Sequence, residues 1–182
     1  MRASALELPG VRLIEHRVFA DARGAFFESW NEREFAAAGI DARFVQENVS
    51  VSQRLVLRGL HYQISRVQGK LVRVLAGEIF DVVVDLRRSS ASFGRHLSVT
   101  LDARSPRSLW VPPGFAHGFL ALADETRVQY KVTDFWERSA ERTLAWDDPA
   151  LGIAWPLPER VSPILSPKDR EGTPLAQAET FP

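Results

Sequence analysis

The chain predicts an all-β fold, an antiparallel sandwich or barrel with one short helix and an irregular C-terminal wrap. Short runs rich in Val, Ile, Leu and aromatic residues recur at a spacing of roughly ten residues, which suits antiparallel strands and leaves no room for crossover helices. The 11 glycines and 11 prolines are scattered between these runs, where turns belong. Only Asn31–Ala38 carries helix signals: Asn31 as N-cap, Glu34 in the capping-box position and Gly39 as the stop.

Taken in order, Val11–Phe19 alternates loosely and reads as a first strand, and Asp21-Ala22-Arg23-Gly24 as a turn into a second, aromatic-rich strand at Ala25–Trp30. After the helix, Phe44–Val51 reads as a third strand. Val56–Gln63 is a strand by its Val and Leu content, with Arg58, Gly59 and His61 inside it. Strict alternation puts Arg58 and His61 on opposite faces, so for both to serve one site the chain must bend or bulge near Gly59. Lys70–Ala76 and Ile79–Leu86 are strand-like and close enough to pair as a hairpin across Gly77. Ser89–Gly94 reads as a loop; His96–Leu101, Ser108–Val111, His117–Leu122 and Thr126–Thr133 read as further strands. The proline-rich segment after Trp146 lacks periodicity and reads as a wrap over the barrel.

Length and composition bound the function. A chain of 182 residues without repeat or linker fits one domain, residues 1–182. Acidic and basic residues balance at 23 each, which leaves no electrostatic footprint for a nucleic acid polymer and no polybasic membrane segment. The absence of cysteine excludes disulfides, thiolate metal sites and cysteine catalysis. No run of about 18 apolar residues occurs, and Met1–Leu13 lacks the apolar core of a signal peptide; a soluble cytoplasmic protein is expected.

Read singly, the polar residues inside strands have ordinary explanations. The four histidines, His16, His61, His96 and His117, show no His-x-His spacing, so a metal site is not expected, and His16 and His96 read as surface or rim residues. Arg58 and Lys70 fit a solvated strand face, Tyr130 fits strand packing, and Lys168-Asp169 fits a solvated turn. Taken together they supply a base (His61), a carboxylate to orient it (Asp169), a phenolic acid (Tyr130) and cations (Arg23, Arg58, Lys70, Lys168). That set suits proton abstraction beside a carbonyl on an anionic substrate.

Motifs along nearly the whole chain resemble the dTDP-4-dehydrorhamnose 3,5-epimerase family. They include Asp21-Ala22-Arg23-Gly24, Val45-Gln46-Glu47-Asn48, Leu57-Arg58-Gly59-Leu60-His61-Tyr62-Gln63, Gln68-Gly69-Lys70-Leu71-Val72-Arg73, Pro112-Pro113-Gly114-Phe115-Ala116-His117-Gly118, Tyr130-Lys131-Val132-Thr133 and Leu165-Ser166-Pro167-Lys168-Asp169. The resemblance implies a cupin-type jelly-roll homodimer, without metal or other cofactor, that inverts C3 and C5 of a dTDP-4-keto-6-deoxyhexose. By that resemblance His61 is the general base, Asp169 its partner and Tyr130 the acid on the other face of the sugar. Arg58, Lys70 and His117 surround the sugar and its carbonyl; Arg23 and Glu28 belong to the nucleotide, with Arg23 near the diphosphate of its own or the partner subunit. Gln46, Glu47, Asn48, Glu141 and Lys168 complete the substrate contacts. Two positions depart from the family pattern: Trp136 stands where the family commonly stacks a tyrosine on thymine, and Glu47 stands for aspartate. Other readings are an enzyme that inverts C3 only, a non-catalytic sugar-nucleotide-binding barrel and a metal-dependent cupin oxygenase.

Overall fold

The computed structural model describes residues 1–182. The order is β1 (Arg2–Ala5), β2 (Arg12–Glu15), β3 (Val18–Asp21), β4 (Gly24–Phe27), α1 (Glu32–Ala37), β5 (Gln46–Ser52), β6 (Leu57–Gln63), β7 (Lys70–Ala76), β8 (Glu78–Asp85), β9 (His96–Asp102), β10 (Arg107–Val111), β11 (Phe115–Ala121), β12 (Thr126–Val132), β13 (Glu141–Thr143) and α2 (Pro167–Arg170). Six strands form one sheet in the order β1-β2-β10-β7-β12-β5, five form a second in the order β13-β6-β11-β8-β9, and β3-β4 make a separate two-stranded ribbon. All these strand pairs are antiparallel. The architecture is the expected jelly roll. No helix is long and apolar enough to cross a membrane.

The core lies between the two large sheets. Val72, Val74, Leu109 and Val128 of the first meet Ile79, Val83, Leu101 and Phe119 of the second. Each sheet also has part of its outer face covered. Leu60, Val82, Val84 and Ala116 pack under the C-terminal segment through Leu144, Leu151 and Ala178. On the other side Ile14, Leu71 and Trp110 pack under α1 through Phe35 and Ile40. Covering both faces explains why β8 carries the unbroken run Val82-Val83-Val84, each fully buried.

The helix at α1 forms as its cap dictates: the Asn31 side chain accepts from the N–H groups of Arg33 and Glu34. Glu34 does not close a capping box; its carboxylate meets the Met1 amino group at 3.5 Å. Three readings of the sequence need correction. The run Val11–Phe19 is two strands, because the chain leaves the main sheet after Glu15: β2 pairs with β10, β3 with β4. Strands β7 and β8 are no hairpin; they belong to different sheets. Gly77, at φ +77°, passes the chain from one sheet to the other, and a Cβ there would stand 2.3 Å from Thr126 Oγ1. Finally, a second helical turn, α2, lies inside the wrap. Ser166 caps it and Pro167 begins it, a start signal that the surrounding prolines obscure.

The candidate active site

The site is built where β6 breaks its alternation. Across the β6–β11 ladder His117 faces His61 and Phe119 faces Arg58, so two steps on β11 match three on β6. This bulge turns Arg58 and His61 into the same cavity, as the Gly59 reading requires. Glycine is obligatory on both sides: Gly59 has φ +137°, and a Cβ there would lie 2.5 Å from Gly118 Cα.

The cavity has a volume of about 510 Å³, in the range of small-molecule sites. The five-stranded sheet contributes Arg58, His61 and His117 to its wall; the six-stranded sheet contributes Gln46, Asn48, Lys70 and Tyr130. Trp136, Glu141, Lys168 and Asp169 complete the lining. The fold therefore gathers eleven of the expected residues around one space, and brings His61 and Tyr130 to it from opposing sheets. Three do not line it. Glu47 sits on the outer face of β5, between Gln46 and Asn48, and pairs with Lys131 at 2.5 Å. Arg23 stands at the tip of the β3-β4 ribbon, 90% exposed and paired with Asp21 at 2.5 Å. Glu28 is exposed just after the ribbon.

His61 Nε2 lies 2.5 Å from Asp169 Oδ1. Burial pushes Asp169 upward, but the bonds from His61 and from the Ser166 hydroxyl outweigh it and hold the carboxyl below its usual range. An ionised Asp169 accepts the Nε2–H, so neutral His61 keeps its lone pair on Nδ1. Desolvation lowers the His61 pKa below 6.5 and is only partly opposed by Asp169, with Lys168 and Lys70 adding to the lowering. The pair is thus poised as a neutral base.

Lys70 is buried, contrary to the solvated face that its strand position suggests, and donates to the His61 carbonyl at 3.0 Å. Burial lowers its pKa to about 8, against the pull of Glu141 and Asp81 and with Lys168. Tyr130 is raised by burial above 10, with Arg58 opposing. Arg58 is held by Ser52 Oγ at 3.0 Å and by the Val51 carbonyl at 3.1 Å. Burial raises Glu141, but the Lys168 ammonium at 2.8 Å, with help from His61 and Trp136, brings it below its usual value. No group of three or more His, Cys, Asp or Glu side chains is arranged to hold a metal ion.

Several residues escaped the sequence reading. Ser50 continues the period-two row of Gln46 and Asn48 into the cavity, and its buried hydroxyl has no partner. Ser166 shows as the serine of Ser-x-x-Asp. Asp81, fully buried on β8, holds His117 Nε2 at 2.9 Å, a pairing between strands that no local pattern reveals. Outside the site, His16 is buried rather than at the rim: its ring stacks on Phe27, and Nε2 lies 2.8 Å from Ser108 Oγ.

The sequence pattern of the dTDP-4-dehydrorhamnose 3,5-epimerase family matches residues 5–177. A dTDP-4-dehydrorhamnose 3,5-epimerase of Pseudomonas aeruginosa is 52% identical over 183 aligned residues, covering 100% of both chains. The crystal structure of dTDP-6-deoxy-D-glucose-3,5-epimerase from Legionella pneumophila, in complex with dTDP-4-keto-L-rhamnose, superposes with a TM-score of 0.93 at 42% identity over 98% of this chain and 94% of that one. A 3'-monoepimerase from Streptomyces bikiniensis, in complex with dTDP-quinovose, is similar at 35% identity and a TM-score of 0.87, over 94% of this chain and 86% of that one. By sequence along nearly its whole length and by fold, the chain belongs to the dTDP-4-dehydrorhamnose 3,5-epimerase family.

Proposed function

We propose that the protein is a cofactor-independent isomerase that inverts C3 and C5 of dTDP-4-dehydro-6-deoxyglucose to give dTDP-4-dehydro-L-rhamnose. The observation that carries the reading is the His61–Asp169 pair facing Tyr130 across one cavity, with the buried Lys70 ammonium beside it. The greater likeness to proteins named as 3,5-epimerases than to the monoepimerase supports inversion at both carbons.

In this mechanism His61 Nδ1 takes the proton from the carbon beside the C4 ketone. Asp169 keeps the tautomer and stabilises the imidazolium that forms. The C4 oxygen gains negative charge as the enolate develops, and Lys70, Arg58 and His117 stabilise it in a site shielded from water. Tyr130 then delivers a proton to the opposite face of the ring and is left as a phenolate; once His61 has released its proton to solvent and Tyr130 has taken one up, the same sequence is repeated at the second carbon. Gln46, Asn48, Glu141 and Lys168 hold the rest of the substrate, and the nucleobase stacks on Trp136, whose indole is 52% exposed at the cavity mouth.

The working unit in this reading is a two-fold dimer. The ribbon β3-β4 pairs with no other strand of its own chain, and β5 is a free sheet edge. Exposed apolar side chains lie on both: Phe19 (51%) and Phe26 (69%) on the ribbon, Val49 (55%) and Val51 (51%) on the outer face of β5. In such a dimer Arg23 and Glu28, which lie away from their own cavity, reach the nucleotide in the partner's, and Glu47 supports β5 from the face behind the substrate.

The test is proton NMR in deuterated water with dTDP-4-dehydro-6-deoxyglucose. Deuterium should enter at both C3 and C5 with inversion at both; deuterium at C3 alone would make the protein a monoepimerase. His61→Ala should stop exchange and inversion together. Tyr130→Phe should leave exchange in place while inversion falls by roughly 10²–10⁴, the worth of one general acid. Inversion by Tyr130→Phe at the unmodified rate would remove Tyr130 from the mechanism.

A further inference from the structure

The segment between β12 and β13 belongs to neither sheet, yet it carries Trp136 at the cavity mouth. Its two aromatic side chains cannot anchor it by burial, since Phe135 is 54% exposed and Trp136 52%. Around Trp136 it is held by glutamine amides from distant parts of the chain. Gln68 Nε2 donates to the Asp134 carbonyl at 2.9 Å, and Gln46 Oε1 accepts from the Trp136 N–H at 3.0 Å. Gln63 does most. Its Oε1 accepts from the Glu137 N–H at 2.7 Å, and its Nε2 donates to the carbonyls of Arg66 at 2.7 Å and Phe135 at 3.2 Å.

Gln63 is only 3% exposed, so its amide has exchanged water for these three partners. A buried amide is costly unless satisfied, and here both its hydrogens and its oxygen are used. Its bonds grip the peptide groups immediately before and after Trp136. With Gln46 on the Trp136 N–H itself, the backbone at this position is held on each side. A backbone so held fixes where the exposed indole is anchored, and a ligand that stacks on it has less disorder to remove on binding.

We infer that Gln63 is a positioning residue for substrate recognition, acting through Trp136: it sets the aromatic platform on which the flat base of the nucleoside diphosphate lies. This rests on the reading of Trp136 as the base-stacking residue. Gln63 also borders the cavity, but its amide is fully engaged with backbone groups, and the acid–base groups His61 and Tyr130 make no bond to it.

The test is a double-mutant cycle on the full-length protein, with dTDP alone as the calorimetric probe and the complete substrate for kinetics. Stacking on an aromatic side chain tightens base binding by roughly 5- to 150-fold, so Trp136→Ala should weaken dTDP binding within that range. Gln63→Met, which keeps the length and removes the three bonds, should weaken dTDP by about tenfold, a part of that effect, and leave kcat at saturating substrate within about twofold. On the Trp136→Ala background the same change should add less than about twofold, because its route of action is gone. An equal loss on both backgrounds, or a fall in kcat with unchanged dTDP affinity, would overturn the proposal. Unchanged dTDP affinity in Trp136→Ala would instead remove the stacking reading on which it rests. Should Gln63→Met fail to fold, Gln63→Glu replaces it in the same cycle with the same outcomes: it keeps the acceptor for Glu137 and turns the donor into an oxygen facing two carbonyls.

Discussion

Lys70 should set the alkaline limit of the reaction. Its ammonium is buried between the sheets, and the cost of that burial brings its pKa from 10.5 to about 8. The neighbouring charges do not restore it: Glu141 and Asp81 pull it up, Lys168 pushes it down, and desolvation dominates. The form that stabilises an oxyanion is the charged one, so activity should be lost as pH rises through about 8. For such a group about nine-tenths of the molecules are charged at about pH 7 and about one-tenth at about pH 9, a fall of about tenfold in kcat/KM over that interval. Tyr130 cannot produce this limb, because burial raises it above 10 and it stays protonated throughout. The acid limb belongs to His61, whose lowered pKa puts its loss of basicity below 6.5. The assay is kcat/KM against pH at constant ionic strength, for the unmodified protein and for Lys70→Arg. Arginine stays charged over the whole range, so Lys70→Arg should be slower, from its different shape, yet flat where the unmodified protein declines. Lys70→Met should lose roughly 10²–10³ at about pH 7, as when one oxyanion donor is removed. An alkaline limb that survives unchanged in Lys70→Arg would refute the reasoning.

Sedimentation at micromolar concentration should give a dimer, and Phe26→Asp, which charges the most exposed of the large apolar side chains, should shift it toward monomer; an unmodified protein that sediments only as monomer would contradict the assembly. Arg23→Ala should weaken substrate binding with little change in melting temperature, since Arg23 lies in an exposed turn and meets only Asp21. Mixing Arg23→Ala with His61→Ala chains should restore activity if Arg23 serves the partner's cavity, because a hybrid dimer then contains one complete site; no recovery in hybrids shown to form would put Arg23 in its own subunit's site or outside it.

Much of the secondary structure was legible because it depends on local chemistry. The Asn31 cap, the apolar run of β8 and the turn at Asp21–Gly24 each need only neighbouring residues. The motifs along the chain also carried the family, and with it the jelly roll. What they did not carry was pairing and burial. Strands β7 and β8 adjoin in sequence across a glycine, which reads as a hairpin, yet their hydrogen-bond partners lie far along the chain in two sheets. Lys70 opens its strand like any solvated residue, and only the sheet packed opposite makes it a buried cation with a lowered pKa.

The catalytic geometry divides in the same way. The residue types were set by the sequence alone: a histidine, a tyrosine and an aspartate in family motifs, with Gly59 to permit a bulge. Asp169 stands 108 positions from His61 and meets it because the wrap folds back over β6, carrying a helical turn capped by Ser166. Glu47 and Asn48 are adjacent in one motif, but the pleat of β5 sends Asn48 into the cavity and Glu47 to Lys131 on the outer face. A sequence states which groups are available. Which of them lose their water together, and so acquire shifted pKa values and shared work, is decided by contacts between strands remote in the chain, and those exist only in the folded molecule.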